Sequence, residues 1–253
     1  MLPVLQIGPL AIQLPGVLLL AGVWFALLAA ERGALRRAIP AERMTNMILI
    51  SLVAGILGAR LGYALRFIEL YLEQPLALFA LNLNTLSNFE GFIAAILAGV
   101  ICIQRWRLPV LDVLDALAPG LALFMIAIGL AHLASGDAFG AVSSVPWSIE
   151  LWGAERQPSQ VYEIIAAVLI YGFILRLQQH TFSPGFLFFA LLTCHSLARL
   201  FLEAFRGDSL IVAGSLRMGQ VLSLAVLASS LLALHLLSRR TPMSQARLER
   251  DRL

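Results

Sequence analysis

VLDVLDALAPGLALFMIAIGLAHLA, residues 110–134, decides the class of fold. From Ala116 to Ala131 it holds no charged side chain. As a helix rising 1.5 Å per residue, a run of this length reaches about 37 Å, enough to cross a hydrocarbon core of roughly 30 Å. The same pattern recurs on both sides. Further spans are predicted near 12–31, 46–68, 88–104, 159–178, 184–205 and 217–238, seven in all. The third is the shortest and carries Glu90. Between the second and third, residues 74–87 are apolar but interrupted by asparagine, which suits an interfacial segment better than a crossing. The whole chain agrees: 60% hydrophobic and 13% charged residues with a mean hydropathy of +0.86, against about 45–50% and about 25% for soluble domains. A soluble globular protein is excluded. The expectation is an all-α polytopic membrane protein, seven transmembrane helices around a lipid-accessible cavity. Residues 1–238 form the membrane domain and 239–253 a short, basic, solvated tail, with no soluble domain and no internal repeat.

Orientation follows from the arginines, because basic residues concentrate in cytoplasmic loops. Arg32, Arg36, Arg37 and Arg43 fall in the first loop, Arg105 and Arg107 in the third, and Arg176 before the fifth. Arg239, Arg240, Arg247, Arg250 and Arg252 lie in the tail. The second, fourth and sixth loops carry Glu69, Glu73, Asp137, Glu150, Glu155 and Asp208. Seven spans with the N-terminus outside and the C-terminus cytoplasmic satisfy every loop. The first eleven residues hold no basic residue, so the first span lacks the charged start of a cleavable signal peptide and is expected to be retained.

The net charge of +3 is too slight to point to nucleic acid, and all 18 basic residues are arginine. Cys102 and Cys194 both lie in apolar runs, so neither a disulfide framework nor a metal site is indicated, and no cofactor is implied. Six arginines fall outside the cytoplasmic set: Arg60, Arg66, Arg156, Arg199, Arg206 and Arg217. A charge within a span requires a partner or a wet cavity. In the sixth span Arg199, Glu203 and Arg206 are spaced i, i+4, i+7, on one helical stripe if the helix is continuous. One reading is a salt-bridge ladder. The other notes that two arginines against one glutamate leave a positive charge, which invites a lipid phosphate. In the second span Gly58 and Gly62 form a GxxxG pair suited to close helix approach, with Arg60 and Tyr63 three residues apart beside it. In the fourth loop Trp147 and Trp152 suit the outer interface, Ser159 is placed to cap the fifth helix, and Glu163 sits in its first turn near the positive end of the dipole. His132 lies near the outer end of span four.

Taken in order, IGP (7–9), GARLGY (58–63), LDALAP (114–119), GDAFG (136–140), VPW (145–147), RQPSQVYE (156–163), ARLFLEAFRGD (198–208) and MGQVLSL (218–224) resemble the prolipoprotein diacylglyceryl transferase family over nearly the whole chain. The resemblance implies a multi-pass enzyme of the bacterial cytoplasmic membrane that takes phosphatidylglycerol as lipid donor. Its acceptor would be the lipobox cysteine thiol of a secreted precursor. Arg199 matches a family arginine essential for the reaction, with Glu203 and Arg206 as its neighbours. Arg60, Tyr63, Gly140, Arg156 and Gln160 match family motif positions expected to bind substrate.

The chain also departs from the family pattern. Glu90-Gly91-Phe92 stands for the family's HGG, so a glutamate replaces its proposed base histidine. In AIGLAHLASGD (127–137) Gly129 replaces an arginine, His132 an asparagine and Asp137 a glutamate, and Leu14-Pro15-Gly16 stands for WYG. Glu90 is the replacement base on this reading, expected to face the central cavity. His132 is counted with Glu90 and Arg199 among the catalytic residues and supplies polar contacts in place of the asparagine, and Asp137 is counted among the substrate-binding residues. Three functions remain open: transfer to the lipobox thiol through a rebuilt site, transfer to a related acceptor such as a hydroxyl or a glycan, and a degenerate, non-catalytic paralogue that binds phospholipid or serves as a membrane assembly subunit. The sequence indicates no oligomeric state.

Overall fold

The structure is a computed structural model that describes residues 4–7, 10–73 and 87–250. Residues 74–86 of the expected interfacial segment lie outside the described residues, as do Gly8 and Pro9. Eight α-helices are described: α1 (Leu14–Arg36), α2 (Ala41–Arg66), α3 (Ile68–Glu73), α4 (Asn88–Arg105), α5 (Val110–Ser135), α6 (Ser159–Leu177), α7 (Phe186–Leu202) and α8 (Met218–Arg250). All but α3 supply a stretch long and apolar enough to cross a membrane, seven in total, at the places the hydropathy predicted. Two ends differ. α1 continues to Arg36, past the apolar run, because a helix keeps its backbone bonds while its arginines extend toward the interface. The tail, expected as a short arm, prolongs α8 as helix to Arg250.

The helices are accompanied by short antiparallel hairpins, which the all-α expectation lacked: β1 (Val4–Ile7) with β2 (Leu10–Gln13), β3 (Ile149–Leu151) with β4 (Ala154–Arg156), and β5 (Ile211–Ala213) with β6 (Leu216–Arg217). Strands this short carry no alternation to read.

The chain divides into two compact units, Met1–Gly33 with Leu114–Leu253, and Ala34–Val113. In the second, α2 and α4 pack closely, as the GxxxG pair predicted. A side chain at Gly58 would collide with Ala94, and one at Gly62 would lie 2.6 Å from the Glu90 Cβ. Arg37 and Asp112 pair at 3.0 Å in the same unit.

In the first unit α1 lies against α5 through small residues: Gly22 beside Ala127, Gly120 beside Ala26 and Gly33 beside Ala116. Ala118 and Ala122 of α5, Ile170 and Ile174 of α6, and Leu187, Ala190 and Leu191 of α7 form the buried core. Leu169, Phe201 and Trp24 point outward. Lipid tails are as apolar as leucine, so small residues mark the contacts and large ones face the tails. One buried charge organises this core. Asp115 of α5 is 1% exposed and accepts the Gly185 N–H at 2.8 Å and the Phe188 N–H at 2.9 Å, satisfying amides that the start of α7 leaves unpaired.

Beyond α5 the chain turns at Gly136 (φ 83°). The extended segment 139–143 then runs between two others: the Ala141 N–H donates to the Phe205 carbonyl at 2.8 Å, and the Gln157 N–H donates to the Ala141 carbonyl at 3.0 Å. The loops after α5 and α7 are thereby laced together.

Candidate functional site

A cavity of about 560 Å³ lies between α5, α6, α7 and α8 of the first unit. Its walls are apolar, including Met125, Ile128, Ile170, Leu192, Leu222 and Val226. Its polar lining comes from His132, Glu163, His195, Ser196, Arg199 and Ser223. The chain path explains the cluster: His132 and Arg199 stand in the last turns of α5 and α7, and Glu163 near the start of α6.

Glu163 is the hub. Its Oε1 accepts Arg199 Nη1 at 2.9 Å and Arg206 Nη1 at 2.8 Å, while its Oε2 lies 3.2 Å from His132 Nδ1. The single helical stripe expected to carry Arg199, Glu203 and Arg206 is corrected here. α7 ends at Leu202, Glu203–Phe205 form a 3-10 turn, and Arg206 is extended. Arg206 therefore bends back to the carboxylate that holds Arg199, instead of standing two turns away, and forks onto Asp208 with bonds of 2.9 and 2.7 Å. Glu203 Oε2 lies 3.1 Å from Arg199 Nη2, an ion pair without hydrogen-bond geometry. Three carboxylates thus face two guanidiniums, so the expected excess of positive charge over a single glutamate does not hold.

Two further features hold the break in α7 in place. Arg217 Nη1 donates to the carbonyls of both Glu203 and Arg206. The Glu203 carboxylate, 3% exposed as a residue, accepts the Ser209 hydroxyl at 2.7 Å and lies over Gly219, where a Cβ would meet its oxygens at 2.6 and 2.7 Å. The glycine of MGQ is the space the carboxylate occupies.

The expected binding residues Asp137, Gly140, Arg156 and Gln160 build the loop. Arg156 donates from Nε to the Leu151 carbonyl (3.0 Å) and from Nη1 to the Gly140 carbonyl (3.3 Å), with its guanidinium 4.8 Å above the Phe139 ring. Gln160, fully buried, donates to the Asp137 carbonyl at 3.0 Å, while Asp137 itself is exposed. A side chain at Gly140 would strike the Gln157 carbonyl, so the close crossing of these loop segments requires glycine there. Ser159 does not cap α6: the helix begins at Ser159 itself, and its hydroxyl donates to the Ala138 carbonyl at 2.6 Å. Exposed Trp147 donates from Nε1 to the Tyr162 hydroxyl at 2.6 Å.

Glu90, Arg60 and Tyr63 belong to the second unit. Glu90 accepts Arg66 Nη2 at 2.7 Å on Oε1 and the Ser87 hydroxyl on Oε2, so both oxygens are engaged. Tyr63 packs its ring 4.7 Å from that of Phe67 and 6.5 Å from that of Tyr71. Arg60 is half-buried on α2. Sequence reasoning missed His195, although its place four residues before Arg199 puts it on the same helical face. It also missed Glu163 as the carboxylate of the cluster, since no spacing rule joins residues 36 and 43 positions apart.

The chain matches the family model of prolipoprotein diacylglyceryl transferase over residues 3–236. It is 29% identical over 245 residues to the phosphatidylglycerol–prolipoprotein diacylglyceryl transferase of Geobacter sulfurreducens, covering 93% of this chain and 94% of that protein. It is 28% identical to the enzyme of the same name from Clostridioides difficile, covering 89% and 90%. To that of Mesorhizobium japonicum it is 27% identical, covering 96% and 91%. With seven apolar helices among the described residues, in the predicted places, this chain is a multi-pass membrane protein that belongs to the prolipoprotein diacylglyceryl transferase family.

Proposed function

We propose that this chain transfers the diacylglyceryl unit of phosphatidylglycerol to the lipobox cysteine thiol of a secreted precursor. It does so in the bacterial cytoplasmic membrane, with its N-terminus outside and its C-terminus in the cytoplasm. The observation that carries the reading is the apolar-walled cavity that has Arg199 among its lining residues. Acyl chains match the walls, and a phosphodiester matches the guanidinium fork. In the reaction the thiol sulfur attacks the glycerol carbon that bears the phosphate, the carbon–oxygen bond breaks, and glycerol phosphate leaves with the electron pair. The charge that develops on the departing oxygens falls on Arg199, whose plane Glu163 and Glu203 fix before substrate arrives, so little reorganisation is required at the moment of reaction. Arg206 stands on the same Glu163 oxygen and reinforces that field.

The test is a bacterial strain depleted of its own transferase and supplied with this chain, together with the purified protein given phosphatidylglycerol and a lipobox peptide. Restored growth and release of glycerol phosphate with a diacylglyceryl thioether are the expected results. Retention of phosphatidylglycerol without transfer to any thiol would overturn the reading and leave a lipid-binding protein.

A further inference from the structure

We infer that His132 accepts the thiol proton in this transfer, held for that task by Glu163. The inference rests on the activity proposed above and assigns the base within it. His132 lines the cavity, and its Nδ1 faces Glu163 Oε2 at 3.2 Å. A carboxylate at Nδ1 fixes the proton there and leaves Nε2 as the nitrogen with a free lone pair. The other carboxylate in question, Glu90, has one oxygen on Arg66 and the other on Ser87, and a carboxylate engaged on both oxygens is a poor proton acceptor.

The cavity also places base and cation on opposite ends of one group. Glu163 holds His132 through Oε2 and Arg199 through Oε1, at 2.9 Å. The residue that orients the base therefore also orients the guanidinium, and Glu163 is a positioning residue for both. The step balances. Nε2 takes the proton from sulfur, the sulfur–carbon bond forms as the carbon–oxygen bond breaks, and the imidazolium returns its proton to the departing phosphate. The charged and titratable groups that line the cavity with His132 are Glu163 from α6 and His195 and Arg199 from α7, and Arg206, beyond the end of α7, is held on the other oxygen of Glu163. α8 contributes uncharged Gly219 and Ser223. The charged residues of α1, Glu31, Arg32 and Arg36, lie near Gly33, which packs on Ala116 at the other end of α5.

The experiment uses the full chain in nanodiscs containing phosphatidylglycerol, with a synthetic lipobox peptide as acceptor, and follows the thioether product against pH. An imidazole must be neutral to accept a proton. Wild-type kcat/KM is therefore expected to fall as pH is lowered and the imidazole becomes protonated. His132→Gln and His132→Asn are expected to lower kcat at pH 7 by roughly 10²–10⁴-fold with little change in KM. The gap should narrow to about tenfold or less near pH 9.5, where the thiolate forms without help. Phosphatidylglycerol-dependent thermal stabilisation reports that each variant is folded and loaded. Unchanged kcat in both variants overturns the inference. So does a wild-type profile with a single limb at the ionisation of the thiol itself, a result that needs no variant. A pH profile that shifts with His195→Gln and not with His132→Gln reassigns the base and overturns it too. Absence of any transfer by the wild type overturns the proposed activity and this inference with it, and is distinguished by the failed wild-type control.

Discussion

Replacing Glu163 by glutamine tests the centre of the cluster. The side chain is 13% exposed and meets two guanidiniums through Oε1 and His132 through Oε2. Removing one partner of a buried ion pair costs about 3–5 kcal/mol, because the remaining charge is left uncompensated. Here Arg199 keeps Glu203 at 3.1 Å and Arg206 keeps Asp208 at 2.7 Å, so the low end applies, about 3 kcal/mol. For a chain of this size that loss lowers Tm by roughly 6–12 °C. Asp208→Asn is the internal comparison. Its side chain is 28% exposed and, among the described residues, pairs with Arg206, so about 1 kcal/mol is expected. Thermal unfolding followed by tryptophan fluorescence, with and without phosphatidylglycerol, measures both. Lipid is expected to recover more of the loss in Glu163→Gln than it adds to the wild type, since its phosphate meets guanidiniums released from their carboxylate. Saturation at 100 times Kd stabilises by about 2.7 kcal/mol. A Glu163→Gln protein that melts with the wild type, or an Asp208→Asn protein that loses more, would refute the assignment of Glu163 as the hub.

Arg199→Lys retains the charge but not the bidentate fork, so phosphatidylglycerol retention by native mass spectrometry should fall about tenfold or more, and further in Arg199→Leu. Unchanged retention in a folded Arg199→Leu protein would reduce the cluster to a structural salt bridge. Asp115→Ala leaves the Gly185 and Phe188 amides without acceptors at the start of α7, and a loss of about 2–4 kcal/mol in thermal unfolding is expected, with Asp115→Asn intermediate. Gly219→Ala pushes a methyl group against the Glu203 oxygens, so a loss of about 1–3 kcal/mol is expected together with reduced transfer, as Glu203 swings away from Arg199.

What the sequence disclosed and what it withheld divide along one physical line. Span positions were legible because membrane insertion is decided locally, by a continuous apolar run. The GxxxG contact of Gly58 and Gly62 was legible because one periodicity governs it. Helix ends shifted by a few residues, as at Arg36, since backbone bonding does not stop where hydropathy does. The stripe Arg199–Glu203–Arg206 was visible but misjudged, because i+3 and i+4 rules assume an unbroken helix and α7 stops at Leu202. Neither Glu163 nor Asp115 announced its partners. Both act on residues far away along the chain, and only tertiary packing brings Arg206 or Gly185 to them. The motif residues Gly140 and Gln160 were found by resemblance, and the structure gives them a loop-building task that no composition rule would suggest.

The doubly occupied Glu163 oxygen has a consequence for selectivity. Arg199 and Arg206 hold anions at rest, so a phosphodiester that reaches them enters by exchange and not by filling a bare cation. The free energy of capture is then a small difference between two strong attractions, each enlarged by the low dielectric around them. A site poised in that way amplifies. A modest change in the charge or oxygen geometry of a headgroup becomes a large change in occupancy. On the proposed reaction, a product phosphate that has left its acyl chains would meet an internal competitor already in position.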